Sequence, residues 1–153
     1  MSEYGVKLLA KNKRAFHEYT VEDTIECGIE LFGTEVKSVK GRKFNFSDSY
    51  ARIKRGELWL HGLHISPWSH ATEFNHEPLR SRKLLVHKAE IKRLKRRATE
   101  RGFTLVPLDL HLKNGLVKVT LGMVKGKKLH DKRQSIRNKD LKRDQERETA
   151  GRY

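Results

Sequence analysis

The chain has 153 residues with 34 Lys or Arg against 19 Asp or Glu, a net charge of +15 and a pI near 10.1. That length suits one domain plus an appendage, and that charge points to nucleic acid or an anionic membrane surface as partner. No apolar run is long enough to cross a bilayer, the opening MSEYGVKLLAKNKRA lacks the apolar core of a secretory signal, and a lone Cys27 excludes an internal disulfide framework. A soluble protein of the reducing cytoplasm is expected.

Residues Met1 to Arg14 are basic and without clear period, so a loose arm is expected. From His17 the pattern becomes period two: Tyr19, Val21, Ile25, Cys27, Ile29 and Leu31 alternate with polar residues such as Glu18, Glu22, Glu26 and Glu30. This predicts a long strand with one buried face. Asp23 falls on the apolar side and predicts a bulge or a bend. TEVKSVKG, after Gly33, allows a short helix with Val36 and Val39 inward and Lys37 and Lys40 outward. SYARIK and ELWLHGL then flank Arg55-Gly56 as a hairpin, pairing Ile53 with Leu58 and Ala51 with Leu60. Its other face carries Tyr50, Arg52, Trp59 and His61. Such a mixture either stacks and neutralises RNA or is an ordinary packed second face.

Ser66 to Arg82 has no periodicity and is longer than most loops. RKLLVHKAEIKRLKRRATERG predicts a helix docked through Ile91, Leu94 and Ala98, ended by Gly102. LVPLDLHLK and LVKVTLGMV flank Asn114-Gly115, the strongest short hairpin signal. A two-residue turn pairs Leu112 with Val117, Leu110 with Val119 and Leu108 with Leu121, with His111 and Lys118 opposed on the outside. Pro107 predicts an edge or a bulge. About five antiparallel strands with interposed helices suit a mainly β fold, an OB-type antiparallel barrel with two to three helices and a basic C-terminal tail. A mixed α+β sheet with helices on one side is the rival arrangement.

Residues 1–124 are read as the barrel with its N-terminal arm and 125–153 as the tail. The tail holds 11 Lys or Arg against 5 Asp or Glu, with little beyond Leu129, Ile136 and Leu141 to bury. So little apolar surface cannot offset the entropy of ordering, so the tail is expected to be disordered when free and helical along an acidic partner. A solvated tail kept for solubility is the alternative.

Signs of catalysis are missing from the sequence. His61 and His64 in HGLH leave opposite faces of a strand, no cysteine pair exists, and GMVKGKK lacks the spacing and the Ser/Thr of a phosphate loop. No metal, no cofactor and no enzymatic activity are expected. Binding remains.

Several stretches carry a resemblance: NKRAFHEY from Asn12, IECGIELFGTEVKSVKGRK from Ile25, SDSYARI from Ser47, RKLLVHKAEI from Arg82, GFTLVPL from Gly102 and GKKLHDKR from Gly126. Together they resemble the SsrA-binding proteins (small protein B) of bacteria, from about Asn12 to Arg143. The resemblance implies an OB-type barrel that binds the tRNA-like part of transfer-messenger RNA and accompanies it into stalled ribosomes. There the RNA supplies a new reading frame and the incomplete product is tagged (trans-translation). By this likeness Asn12, Lys13, Arg14, Glu26 and Leu85 fall at positions that hold the RNA, and His17, Tyr19, Lys37, Arg82, Lys83 and Lys118 complete the candidate RNA-binding set. Glu26 either accepts a hydrogen bond from RNA or orients a basic neighbour, and Leu85 either contacts RNA or belongs to the core. Gly126, Lys127, Lys128, His130, Asp131, Lys132 and Arg133 match the tail motif that enters the decoding centre and the empty mRNA channel. Implied partners are the ribosome, chiefly small-subunit RNA, and elongation factor Tu through the shared RNA, with the protein as a monomer. A permanent ribosomal-RNA-binding component or assembly factor is the second reading.

Overall fold

The computed structural model describes residues 5–126. Its first element corrects the sequence reading: Val6–Lys11 is a strand, β1, rather than a loose arm. It runs antiparallel to the strand that ends at Lys113, with Val6 opposite Lys113 and Lys11 opposite Asp109. Only Leu9 of β1 is buried. Backbone pairing on a sheet edge holds it, not an apolar face. Asn12 then caps α1 (Lys13–Glu18), its side-chain oxygen accepting from the Ala15 N–H at 3.2 Å. The helix takes His17 and Glu18 out of the expected strand, which starts at Tyr19 as β2 (Tyr19–Ile29). Ile25 and Cys27 face the core, and the register slips between Val21 and Asp23, the expected bulge.

After α2 (Gly33–Lys40) and the short β3 (Phe44–Asn45) comes the first hairpin, β4 (Tyr50–Lys54) and β5 (Glu57–His61). Ile53 pairs with Leu58 and Ala51 with Leu60, the register read from the sequence. Arg55 and Gly56 both have positive φ, as a tight primed turn demands. β6 (His64–Ile65) pairs with β3.

A second correction follows. Arg82–Leu85, expected to open the long helix, is strand β7, with Lys83 opposite Trp59 and Leu85 opposite Gly28. α3 (Lys88–Arg101) begins after His87, whose N–H donates to Glu90 Oε1 at 3.3 Å, and ends at left-handed Gly102, φ 70°. Leu94 is its fully buried anchor. Arg93 and Arg97 reach back to Asp23 Oδ2 at 3.2 and 2.9 Å, so the bulge in β2 ties down the helix.

β8 (Thr104–Lys113) and β9 (Leu116–Gly126) turn at Asn114-Gly115. Leu112 pairs with Val117 and Leu110 with Val119 as expected, but Pro107 rather than Leu108 faces Leu121. Pro107 starts a bulge that shifts the register before Asp109. The slip sends Leu108 into a second cluster with Ala15, Val106 and Val124, beneath α1. Gly122 makes that seat: a Cβ there would lie 2.7 Å from Leu108 Cδ1 and 2.9 Å from Cγ. Gly122→Ala is therefore expected to destabilise the fold by about 1–3 kcal/mol, measured as a lowered urea midpoint, because a packed core yields poorly to an added methyl. An unchanged midpoint would show that Leu108 re-seats freely.

Six strands close a ring in the order β8–β4–β5–β7–β2–β9 and back to β8, every pairing antiparallel, with β1 following β4 along the edge of β8 away from β9. The fold is thus a mainly β, closed antiparallel barrel with three helices, as the OB-type expectation requires. Closure rules out the one-sided α+β sheet. Its core includes Cys27, Leu58, Leu60, Leu84, Leu94, Val119 and Leu121. Lys125 and Gly126, assigned to the tail, instead finish β9 opposite Thr20 and Tyr19. The other tail candidates Lys127, Lys128, His130, Asp131, Lys132 and Arg133, with the expected disorder-to-helix change, lie outside the described residues.

Candidate nucleic-acid interface

The far end of β2 gathers three of the candidate residues. Gly28 lies opposite Leu85 on one side and Lys118 on the other, with Glu26 two residues before it on the same strand face. Leu84 is core, whereas Leu85 is 45% exposed and Leu116 63% exposed. Together with Gly28, Lys40 and Lys118 they line an open groove of about 330 Å³. An apolar floor ringed by ammonium groups lets ribose and base edges lie flat while phosphates reach the lysines. The sequence reading missed Lys40 and Leu116 at this site. A glycine inside an alternating strand was the available signal, since it marks close approach by another group.

Glu26 is not a bare anion. Its Oε2 accepts from His111 Nε2 at 2.8 Å and its Oε1 from Lys113 Nζ at 3.1 Å. His111 was expected outside; it is 6% exposed, because β1 runs beside it and Glu26 covers it. Its Nδ1 meets Asp109 Oδ1 at 2.8 Å, and both carboxylate contacts are hydrogen bonds together only when both ring nitrogens carry hydrogen. The His111 hydrogen bond, with help from Lys113, holds the Glu26 carboxyl below its ordinary value against the opposing effect of burial. A depressed carboxyl contributes stability above its unfolded-state value and loses it as pH falls through the folded-state value. His111→Phe is expected to move the Glu26 titration, followed by ¹³C NMR of its carboxylate, upward toward the ordinary glutamate midpoint near ~4.3. No movement would mean that His111 does not hold Glu26.

A second group sits at the α1 corner, at the opposite end of β2. Lys13, Arg14 and His17 are exposed and Tyr19 is half-buried. Arg14 is shared between Glu18 Oε2 at 2.9 Å and Asp48 Oδ1 at 3.0 Å, beside a cavity of about 220 Å³. Asn12 is only 8% exposed: while its oxygen caps α1, its Nδ2 donates to the Pro107 carbonyl at 2.8 Å. Both ends of the amide are committed to the fold. Asn12 sets the corner.

The largest departure is Arg82. Expected at the RNA surface, it is fully buried, its Nε donating to Glu35 Oε2 at 2.5 Å and its Nη1 to the Leu63 carbonyl at 2.6 Å. Inward alternation in β7 forces this, with Arg82 and Leu84 in and Lys83 and Leu85 out. Of the basic candidates, Lys37 is exposed on α2 with its Nζ 4.8 Å from the Trp68 ring centre, and Lys83 lies on the outward side of β7 opposite Trp59 of β5. Cys27 is buried, and burial pushes its thiol up to about 12, far from thiolate chemistry at neutral pH. Among the described residues no cluster of three His, Cys, Asp or Glu is placed to hold a metal ion. Among them, too, no helix is long and apolar enough to cross a membrane.

Fold and site define a class: a small cationic β-barrel that offers lysines and exposed apolar side chains to a polyanion. The family model described as SmpB protein matches residues 9–151. The SsrA-binding protein of Treponema denticola is 53% identical over 148 residues, covering 97% of this chain and 96% of the relative. That of Staphylococcus haemolyticus is 52% identical over 95% of this chain and 93% of its own length. A solved structure described as "tmRNA-SmpB: a journey to the center of the bacterial ribosome" matches with TM-score 0.67 and 41% identity, over 91% of this chain and 98% of that one. The chain belongs to the SmpB protein family.

Proposed function

We propose that the protein binds transfer-messenger RNA and delivers it to stalled bacterial ribosomes for trans-translation. The observation that carries this reading is near full-length identity above one half with SsrA-binding proteins, joined to the likeness to a tmRNA-bound relative. The groove of Leu85, Lys40 and Lys118 beside the charge-paired Glu26 suits the tRNA-like part of the RNA. Lys13, Arg14, His17 and Tyr19 add a second cationic edge, and Lys37 a further cation. Beyond Gly126, the GKKLHDKR run, with His130 able to stack on an exposed base, is assigned to the decoding centre and the empty mRNA channel. Elongation factor Tu joins through the shared RNA, and the protein acts as a cytoplasmic monomer without catalysis of its own.

Competition between transfer-messenger RNA and elongator tRNA at two salt concentrations tests this. A preference for transfer-messenger RNA that survives the higher salt supports readout of shape; a preference that vanishes leaves only bulk charge and sinks the proposal. Steady co-sedimentation with idle subunits would instead favour a structural ribosomal role.

A further inference from the structure

The outer face of β4–β5–β7 is a mosaic of aromatic and charged side chains that the groove at Leu85 does not explain. Trp59 is its centre, directly opposite Arg52 on β4 and Lys83 on β7. Tyr50 faces His61 on one side, ring centres 5.3 Å apart, and Lys54 faces Glu57 on the other. Lys54, Arg55, Glu57, Trp59, His61 and Ser81 line an open groove of about 360 Å³. Two observations show that this is not merely a packed second face. The cations are not all spent locally: Lys83 pairs with Glu57 at 2.7 Å, while Arg52, Lys54 and Arg55 make no ion pair among the described residues. The Trp59 ring is not spent either. Among the described residues no aromatic ring stacks on it and no cation sits over it, unlike Trp68, which holds both Lys37 and His70. His61 bonds Ser81 through Nδ1 at 2.6 Å, and its other ring nitrogen has no protein partner among the described residues.

We propose that this face is a second RNA site, in which an unpaired base stacks on Trp59 while Arg52 and Lys83 neutralise the flanking phosphates and His61 bonds the base edge. The ligand is single-stranded or looped RNA, because a stacked base in a duplex cannot offer its face to a side chain. The two grooves adjoin across β7 but share no lining residue: the one at Leu85 opens over Gly28 of β2 and Lys118 of β9, and this one over Trp59 and His61 of β5.

The test uses the full chain carrying Trp68→Phe, which leaves Trp59 as the one tryptophan, and a uridine hexanucleotide with a blunt RNA duplex of equal length as control. Saturable quenching of Trp59 by the hexanucleotide, and much weaker quenching by the duplex, is expected. Trp59→Leu, read by anisotropy of labelled hexanucleotide, is expected to weaken binding between about fivefold and a hundredfold, with Trp59→Phe recovering most of the loss. Arg52→Gln with Lys83→Gln is expected to reduce the slope of log affinity against log salt by about 1.4, the value for two single-strand phosphates. Quenching of Trp59 reads this face directly, which separates it from the proposed transfer-messenger RNA groove. Quenching of equal size by duplex, or undiminished affinity in a Trp59→Leu protein with unchanged circular dichroism, would overturn the proposal.

Discussion

Glu35→Ala is expected to cost about 3–5 kcal/mol of folding stability and to lower the melting temperature by about 10 °C or more. Glu35 is fully buried on the inner side of α2. Its Oε1 accepts from the Phe32 N–H at 2.8 Å and Arg80 Nη2 at 2.6 Å, and its Oε2 accepts from Arg82. Burial alone would push its carboxyl up, but the hydrogen bonds from Arg80, Phe32 and Arg82 outweigh it and hold the group below its ordinary value. Its contribution is therefore present at neutral pH and lost as pH falls through that lowered value. Arg82 also donates to the carbonyls of Leu63 and Pro78, so the pair pins both ends of the irregular stretch 66–81 against the barrel. Removing the carboxylate strands a guanidinium that cannot shed its proton. Thermal melts and limited proteolysis within 66–81 would read the loss. The double replacement Glu35→Leu with Arg82→Met should recover part of the melting temperature, since the cost is the orphaned charge rather than the missing pair. A single-variant loss below about 1 kcal/mol would show that water reaches Arg82.

That pair also marks where the sequence stopped being legible. Both hairpins were readable because Arg55-Gly56 and Asn114-Gly115 sit between alternating runs, and a two-residue turn leaves one register. The bulges at Asp23 and Pro107 were readable as breaks in pattern, yet which way Leu108 would point depended on the space above Gly122. β1 was hidden because Val6 and Leu8 stay exposed, so its alternation has no burial contrast behind it. β7 was hidden because RKLL runs into helix formers, and only the extended backbone of His87 separates them. The apolar face of α2 was assigned to Val36 and Val39, whereas Glu35 is as buried as Val39. A buried glutamate makes sense only once Arg82, 47 residues later, returns to meet it. At the candidate site, Glu26, Leu85 and Lys118 come together through pairings of β2 with β7 and β9 that residue pattern does not specify. Asn12 and Arg82 share the polar character of surface ligands but are consumed by the fold.

Cutting the chain after Gly126 is expected to separate grip from rescue. The cut follows the last residue of β9, opposite Tyr19, so it spares every strand pairing of the barrel; a cut after Val124 would remove two paired residues. The Leu85 groove and the α1 corner are retained, so affinity for transfer-messenger RNA should fall no more than about tenfold at physiological salt. The loss reflects only the non-specific attraction of the removed cations, and the gap should narrow as salt rises. Peptide tagging on stalled ribosomes should fall by about a hundredfold or more, because a complex held at one site lacks the second, intramolecular contact that turns binding into commitment. The same truncated protein must therefore be measured in both assays. Loss of RNA binding in step with tagging would place the grip in the tail, and full tagging by the truncated chain would remove the tail from the mechanism.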